Sequence, residues 1–417
     1  MTGKQRRRAI STMVLMLLSA VPSMTTFAAT DGAIPLQQGS HQLAASSTKH
    51  PNRTGPVSQA DLAPNAKSAV VMDYATGKVL FAKNADVRLP MASITKIMTM
   101  ILIMEALDDG KLTLKDKIKA SEYAASMGGS QIFLEPGESM TVEEMMKGIA
   151  IASANDACVA MAEHLAGTEA AFVEEMNEKA KDLDMRNTHF ANCNGLPAAN
   201  HYSSARDVAI MSRELLKHKE ITRWTSVYSD YLRKDTEHPL WLVNTNKLVR
   251  FYDGVDGLKT GYTTEAKYCL SATAKKPDGF RVIAVAMGEP KSTTRNAEVS
   301  SMLNWSFSQF ESKVLYRKGQ LVQQDVPVGR GSPKHVDALA GNLVGVVSAR
   351  GSHPKYHSEV EIFKLRAPVV VGQKIGVLRV FDGDDEVART SLVAAATVKR
   401  AGFWETVRDI VTFGTAK

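Results

Sequence analysis

Residues 90–107 read Pro90-Met91-Ala92-Ser93-Ile94-Thr95-Lys96-Ile97-Met98-Thr99-Met100-Ile101-Leu102-Ile103-Met104-Glu105-Ala106-Leu107. The apolar residues at 94, 97, 98, 101 and 102 recur at helical spacing, so Ser93 to Leu107 is expected as a buried helix. Ser93 and Lys96 then lie one turn apart on one face. A serine at a helix N-terminus sits at the positive end of the dipole, which favours an alkoxide-like oxygen. A lysine in an apolar setting has its neutral form favoured. A neutral amine beside a hydroxyl can take its proton and make it a nucleophile. The plainer reading is a capping serine with a snorkelling lysine. The same Ser-x-x-Lys spacing recurs at Ser46 and Ser352, so spacing alone decides nothing. Ser46 falls in a polar tether and Ser352 in a Gly/Pro loop; Ser93 opens an apolar run.

Working outward, Ser68 to Tyr74 and Lys78 to Lys83 read as two strands around Asp73-Tyr74-Ala75-Thr76-Gly77, a hairpin signal. Helical patterns follow from Thr141 onward and at Asp156 to Leu165, Glu169 to Leu183 and Ala205 to Leu216. Thr141 with Glu144 spells a capping box. Strand-like runs return at Tyr268 to Ala274 and Phe280 to Met287, closed by a helix over Arg295 to Phe310. Strands, a helical block, then strands and a helix in one unit predict an α+β domain over residues 64–311. Beyond it, short strands divided by Gly, Pro and Asp clusters predict a small all-β, sandwich-like domain over 312–398.

The chain has 417 residues, 44% hydrophobic, 23% charged and 6% aromatic, which excludes wholesale disorder, collagen and coiled coil. The net charge is +7, but Lys4, Arg6, Arg7 and Arg8 alone supply four of the positives. Those four precede the apolar run Met13 to Leu18 and the small residues Phe27-Ala28-Ala29, so residues 1–29 read as a signal peptide. An uncleaved anchor is the alternative, although the run is short for a span. Basicity therefore does not point to nucleic acid. The work is expected outside the cytoplasm: exported, secreted or peripheral at the outer face of the membrane. Residues 30–63, rich in Ser, Gln, Gly, Thr and Pro, are expected as a flexible linker. At the other end, residues 399–417 are expected to hold a helix with Phe403, Trp404, Val407, Ile410 and Val411 on one face. It either packs on the β domain or lies in a membrane surface.

Two further polar motifs interrupt apolar sequence. Ser153-Ala154-Asn155 breaks the stretches Ile149 to Ala152 and Ala157 to Met161. It is either a helix–helix turn or a cleft wall whose serine relays a proton and whose carboxamide binds a carbonyl. Lys259-Thr260-Gly261 follows Gly254, Asp256 and Gly257 at an expected strand edge. Lysine and threonine there make an anion clamp, and glycine lets a ligand backbone lie close. The three cysteines, Cys158, Cys193 and Cys269, cannot all pair internally. Cys158 and Cys269 are expected in the core. His201 and Asp207 belong to no compact ligand cluster such as His-Glu-x-x-His, so no metal or other cofactor is expected.

The order matters more than any member: Ser-x-x-Lys at 93, Ser-x-Asn at 153, Lys-Thr-Gly at 259. With Asn194-Gly195-Leu196-Pro197 and Ser203-Ser204-Ala205-Arg206-Asp207, it resembles the serine-type D-alanyl-D-alanine carboxypeptidases, the low-molecular-weight penicillin-binding proteins. Lys259-Thr260-Gly261-Tyr262-Thr263 looks most like Gram-positive members. The resemblance covers about residues 64–311 closely and the β domain and tail more loosely. It implies a penicillin-binding, serine β-lactamase-like catalytic fold, built of an antiparallel sheet and a helical subdomain. It implies acylation of Ser93 by peptidoglycan stem peptides and by β-lactams, with Lys96 as base. Ser153 and Lys259 would shuttle the proton and Asn155 would bind the substrate amide. Thr260 and Arg295 would hold the terminal carboxylate. Gly261 and Tyr262 would line the site, Tyr262 giving a backbone N–H to the oxyanion hole. A membrane surface would be the partner of the tail.

Overall fold

The computed structural model describes residues 62–402. The expected signal peptide, the linker up to residue 61 and the apolar face at residues 403–411 lie outside the described residues. Strands β1 (Ser68–Asp73) and β2 (Val79–Lys83) form the expected hairpin. A 3-10 turn, Ala92–Thr95, runs into α1 (Lys96–Asp108). Next come β3 (Lys117–Lys119), α2 (Glu122–Ala125), β4 (Ser139–Thr141) and α3 (Val142–Lys147). They are followed by α4 (Asn155–Ala166), α5 (Glu169–Asp182) and α6 (Ala205–Leu215). Then α7 (Thr222–Thr225), β5 (Ser229–Leu232), β6 (Leu240–Val243) and α8 (Leu248–Phe251) lead to three long strands. These are β7 (Val255–Thr263), β8 (Lys267–Lys275) and β9 (Arg281–Glu289), closed by α9 (Ser292–Gln309).

The order β2-β1-β9-β8-β7 makes one antiparallel sheet with β7 on its edge. Both faces are covered. Along β9, Ile283, Val285 and Met287 join the core shared with α1, α4 and α6, while Val282, Ala284 and Ala286 meet Val299, Met302 and Leu303 of α9. Alternate side chains point to opposite faces, so a sheet covered twice reads as a continuous apolar run. Helix α1 is apolar around its whole circumference because it lies inside the helical block, against α4, α5 and α6.

The second part starts without a linker, as β10 (Phe310–Tyr316) leaves α9 directly. It continues with β11 (Leu321–Gly329), β12 (Gly331–Ser332), β13 (His335–Ala340), β14 (Val344–Ala349) and β15 (Tyr356–Ile362). The last strands are β16 (Leu365–Arg366), β17 (Lys374–Asp382), β18 (Asp385–Ala394) and β19 (Lys399–Arg400). A six-stranded sheet, β15-β17-β18-β13-β11-β16, and a β10–β14 pair enclose a core of Val326, Val336, Ile375, Leu378, Val380 and Leu392.

Three expected boundaries move. Leu62 and Ala63, given to the linker, are buried on the α9 side of the sheet. Residues 399 and 400, given to the tail, pair with Gly331 and Ser332 as strand. The helix expected from Ser93 becomes α-helical only at Lys96, because Ala92 has φ +49° and Ser93 lies in the preceding tighter turn. No helix among the described residues is long and apolar enough to cross a membrane.

The Thr141 capping box is present in full: Thr141 accepts from Glu144 N–H, and Glu144 Oε2 accepts from Thr141 N–H at 2.9 Å. Thr141→Ala is expected to cost about 1 kcal/mol and to lower the catalytic-domain melting temperature by about 2–4 °C in a thermal scan.

Candidate active site

Ser93 is half-buried between buried neighbours. Its turn is clamped from two sides by glycines that no other residue could replace. A Cβ on Gly195, which has φ +90°, would lie 2.1 Å from the Ala92 carbonyl oxygen. A Cβ on Gly261 of β7 would lie 2.7 Å from Met91 O and 3.2 Å from the Ile94 nitrogen. The Asn194–Gly195 loop and the edge strand therefore close on the backbone around Ser93. The left-handed φ of Ala92 is strain placed directly before the hydroxyl.

Lys96 is fully buried. Its Nζ lies 3.0 Å from Ser93 Oγ, 2.6 Å from Asn155 Oδ1 and in short contact with Asn194 O. Burial holds its pKa below the usual lysine range, more strongly than nearby Asp156 can raise it. A neutral amine has two hydrogens and one lone pair. Two fixed carbonyl oxygens take the hydrogens, so the lone pair is left facing Ser93 Oγ. That is the geometry of a base beside its nucleophile.

Asn155 opens α4. Its backbone N–H donates to Ser130 O at 2.7 Å and its Nδ2 to Gly128 O at 2.7 Å, so the carboxamide cannot turn. Asp156 fixes the same loop by accepting from Ile132 and Leu134 N–H, each at 3.1 Å. Ser153, two residues earlier and buried, has φ +66° and ends a single π-helical turn, Gly148–Ala152. The turn resets the chain direction between α3 and α4, a device common at functional sites. Two residues span at most about 7 Å of chain, which keeps the Ser153 backbone within that distance of Asn155.

On β7, Lys259 is fully buried and donates to Thr260 O at 3.1 Å. Burial pushes its pKa well down, and the charges of Lys96 and Arg295 push it further. Thr260 Oγ1 donates to Thr245 Oγ1 at 2.8 Å, and Thr245 N–H to Ile151 O at 3.2 Å, which ties the strand to the π turn. Tyr262 is exposed, with its ring on Tyr268 at a centroid distance of 4.4 Å. Arg295, in the first turn of α9, is buried. Its Nη1 donates to Cys269 O at 3.4 Å, and Cys269 is the register partner of Gly261. The guanidinium thus lies one strand behind Lys259-Thr260-Gly261, with Nε and Nη2 on Asn296 Oδ1. It has no ion pair among the described residues. Its acidic neighbour, Glu289, is fully buried, with a pKa pushed up to about 8 by burial and by Glu298. That shift favours the uncharged form of Glu289 at neutral pH.

The structure therefore brings Ser93, Lys96 and Asn155 into direct contact. It sets Lys259, Thr260, Gly261 and Tyr262 on one edge strand, Ser153 at the mouth of α4 and Arg295 behind the strand. Asn155, read from sequence as a substrate ligand, spends its carbonyl oxygen on Lys96. The Asn194 carbonyl was given no role from sequence, although Asn194-Gly195-Leu196-Pro197 is one of the motifs that carry the resemblance. Thr245 carried no signal at all, because its role depends on a contact made across the fold. The three cysteines are buried and free. Among the described residues no group of three or more His, Cys, Asp or Glu side chains could hold a metal ion.

A family profile described as D-alanyl-D-alanine carboxypeptidase matches residues 55–291, and one described as the C-terminal domain of penicillin-binding protein 5 matches residues 310–400. D-alanyl-D-alanine carboxypeptidase DacF of Bacillus subtilis is 52% identical, over 82% of this chain and 88% of its own length. The crystal structure of penicillin-binding protein 5 from Haemophilus influenzae superposes with a TM-score of 0.64 at 31% identity, over 81% of this chain and 98% of the other. Penicillin-binding protein D2 from Listeria monocytogenes, solved with ampicillin bound, gives a TM-score of 0.53 at 30% identity over 58% of this chain and 98% of its own.

Asn155→Asp tests the neutral-amine geometry. It puts a carboxylate where the carbonyl oxygen now lies 2.6 Å from Nζ, which favours the ammonium form. The rate of Ser93 acylation by a fluorescent penicillin is expected to fall roughly 10- to 1000-fold at pH 7 and to recover as pH rises. A flat pH profile of unchanged height would defeat that geometry.

Proposed function

The chain belongs to the D-alanyl-D-alanine carboxypeptidase family, and from that premise we propose how its own residues carry the reaction. Ser93 Oγ attacks the carbonyl between the two terminal D-alanines of a peptidoglycan stem peptide. Its proton passes to Lys96 Nζ as the oxygen–carbon bond forms. The tetrahedral oxyanion is held by the backbone N–H groups of Ser93 and Tyr262, each such donor contributing about 3 kcal/mol to the barrier. As the carbon–nitrogen bond breaks, Ser153 and Lys259 convey the proton to the departing D-alanine amine. Water then attacks the ester and gives a proton to Lys96, which passes it to Ser93 Oγ as the acyl bond breaks, releasing the shortened peptide and free Ser93.

Binding uses the same groups in their ground state. The terminal carboxylate is held by Thr260 and by Arg295. Gly261 lets the substrate backbone lie along the open edge of β7. Asn155 acts first on Lys96; its second Nδ2 hydrogen is the one it can offer to a substrate carbonyl. β-Lactams acylate the same serine, since they present a strained amide with a carboxylate beside it. The reading is supported above all by the amine of Lys96, whose two hydrogens are claimed by Asn155 and Asn194 and whose remaining direction is Ser93 Oγ. We place the enzyme outside the cytoplasm, exported by residues 1–29, with the apolar face expected at residues 403–411 resting on the membrane surface.

Two outcomes are expected. Incubation with penicillin raises the intact mass by one adduct, which maps to the peptide containing Ser93 and is absent from Ser93→Ala. Lys96→Arg keeps the positive charge yet loses D-alanine release from a Lys-D-Ala-D-Ala peptide, because an arginine does not give up its proton. Near-normal turnover in Lys96→Arg would exclude Lys96 as the base.

A further inference from the structure

Behind the nucleophile turn runs a chain of hydrogen bonds that none of the reaction steps above uses. Thr95, two residues after Ser93, is buried, and its Oγ1 donates to the Ala92 carbonyl at 2.7 Å. That hydroxyl also lies 2.7 Å from Nε2 of the buried His201. Its single hydrogen is already spent on Ala92, so it accepts from His201, and Nε2 carries the proton. Nδ1 is then the acceptor, and it receives Ala191 N–H at 2.9 Å. Every donor and acceptor is matched, but only for a neutral imidazole in one tautomer. Phe190 packs edge-on against the ring at a centroid distance of 6.2 Å.

Resting on the reading of Ser93 as nucleophile, we infer that His201 is a positioning residue that holds the strained Ala92–Ser93 turn through Thr95. The ring reaches no reacting atom. It fixes the Ala92 carbonyl, and with it the peptide plane that leads into Ser93. Released, the turn relaxes and Ser93 Oγ drifts from Lys96 Nζ. The environment keeps the imidazole in the required state. Burial pushes its pKa down to about 4, so the relay stays intact through the neutral range.

Four variants test this, read by the second-order rate of fluorescent-penicillin acylation, by kcat and KM for D-alanine release, and by melting temperature. His201→Leu fills the space without hydrogen bonds. Thr95→Val keeps the shape and removes the hydroxyl. Each is expected to lower acylation and kcat by roughly 10- to 100-fold, with KM within about twofold. The double variant is expected to be no slower than the worse single one, since both break one chain. His201→Gln, which can accept from Ala191 and donate to Thr95, is expected to restore most of the rate. Wild-type acylation rates in Thr95→Val or in a folded His201→Leu would overturn the inference. So would multiplicative losses in the double variant, or a His201→Gln as slow as His201→Leu. If His201→Leu does not fold, Thr95→Val decides alone. Failure of the wild type itself to be labelled would instead sink the reading of Ser93, which separates the two.

Discussion

The rest of the structure depends on keeping one amine out of water. An ammonium group carried from water into a protein interior costs several kcal/mol even after relaxation, and Lys96 is fully buried. Losing the proton removes that cost and creates a base. The price is architectural. Helix α1 must be apolar on all sides, and α4, α5 and α6 must surround it. Carbonyl oxygens must reach its Nζ from two separate places in the chain, the start of α4 and the turn at Asn194. The helical block is the shell this requires.

The second constraint is that the opposite wall stays open. β7 is an edge strand, so its free backbone groups face the groove rather than another strand. An exposed edge invites unwanted pairing, yet here it sits against the Ser93 turn at distances only Gly261 permits. The edge is close enough to hold a ligand and too confined to recruit a further strand. Lys259 is buried like Lys96. Burial lowers the pKa of both, and for Lys259 the proximity of Lys96 lowers it further.

Arg295 shows the complementary design. It is as deeply placed as the lysines but cannot lose its proton, so its charge persists where no carboxylate answers it among the described residues. Glu289 and Glu298 lie close by, but the uncharged form of Glu289 is favoured at neutral pH, and Glu298 is held by the Asn65 and Ala66 N–H groups. The Arg295 guanidinium is held by Asn296 Oδ1 and Cys269 O instead. The β domain continues directly from α9 into β10 and also packs on the β1–β2 turn, where Gly345 lies against Ala75.

Local pattern carried much of this protein into view. The period of residues 94–107, the capping box at Thr141, the hairpin at residues 73–77 and the three polar motifs were legible because each is a short-range property of consecutive residues. Ser93 and Lys96, three apart on one turn, could be read as a pair for the same reason. Legibility ended where a partner lay far along the chain. Asn155 had the right residue type, but its carbonyl goes to a lysine 59 positions earlier. Asn194 acts through its backbone, which no side-chain pattern announces. His201 meets Thr95 across 106 positions, and its tautomer is set by two neighbours that sequence does not bring together. By itself the sequence determined which chemical groups were present and which helices would bury them. Only tertiary structure decided which lone pair faced which hydroxyl, because that depends on directions imposed by hydrogen bonds between distant segments.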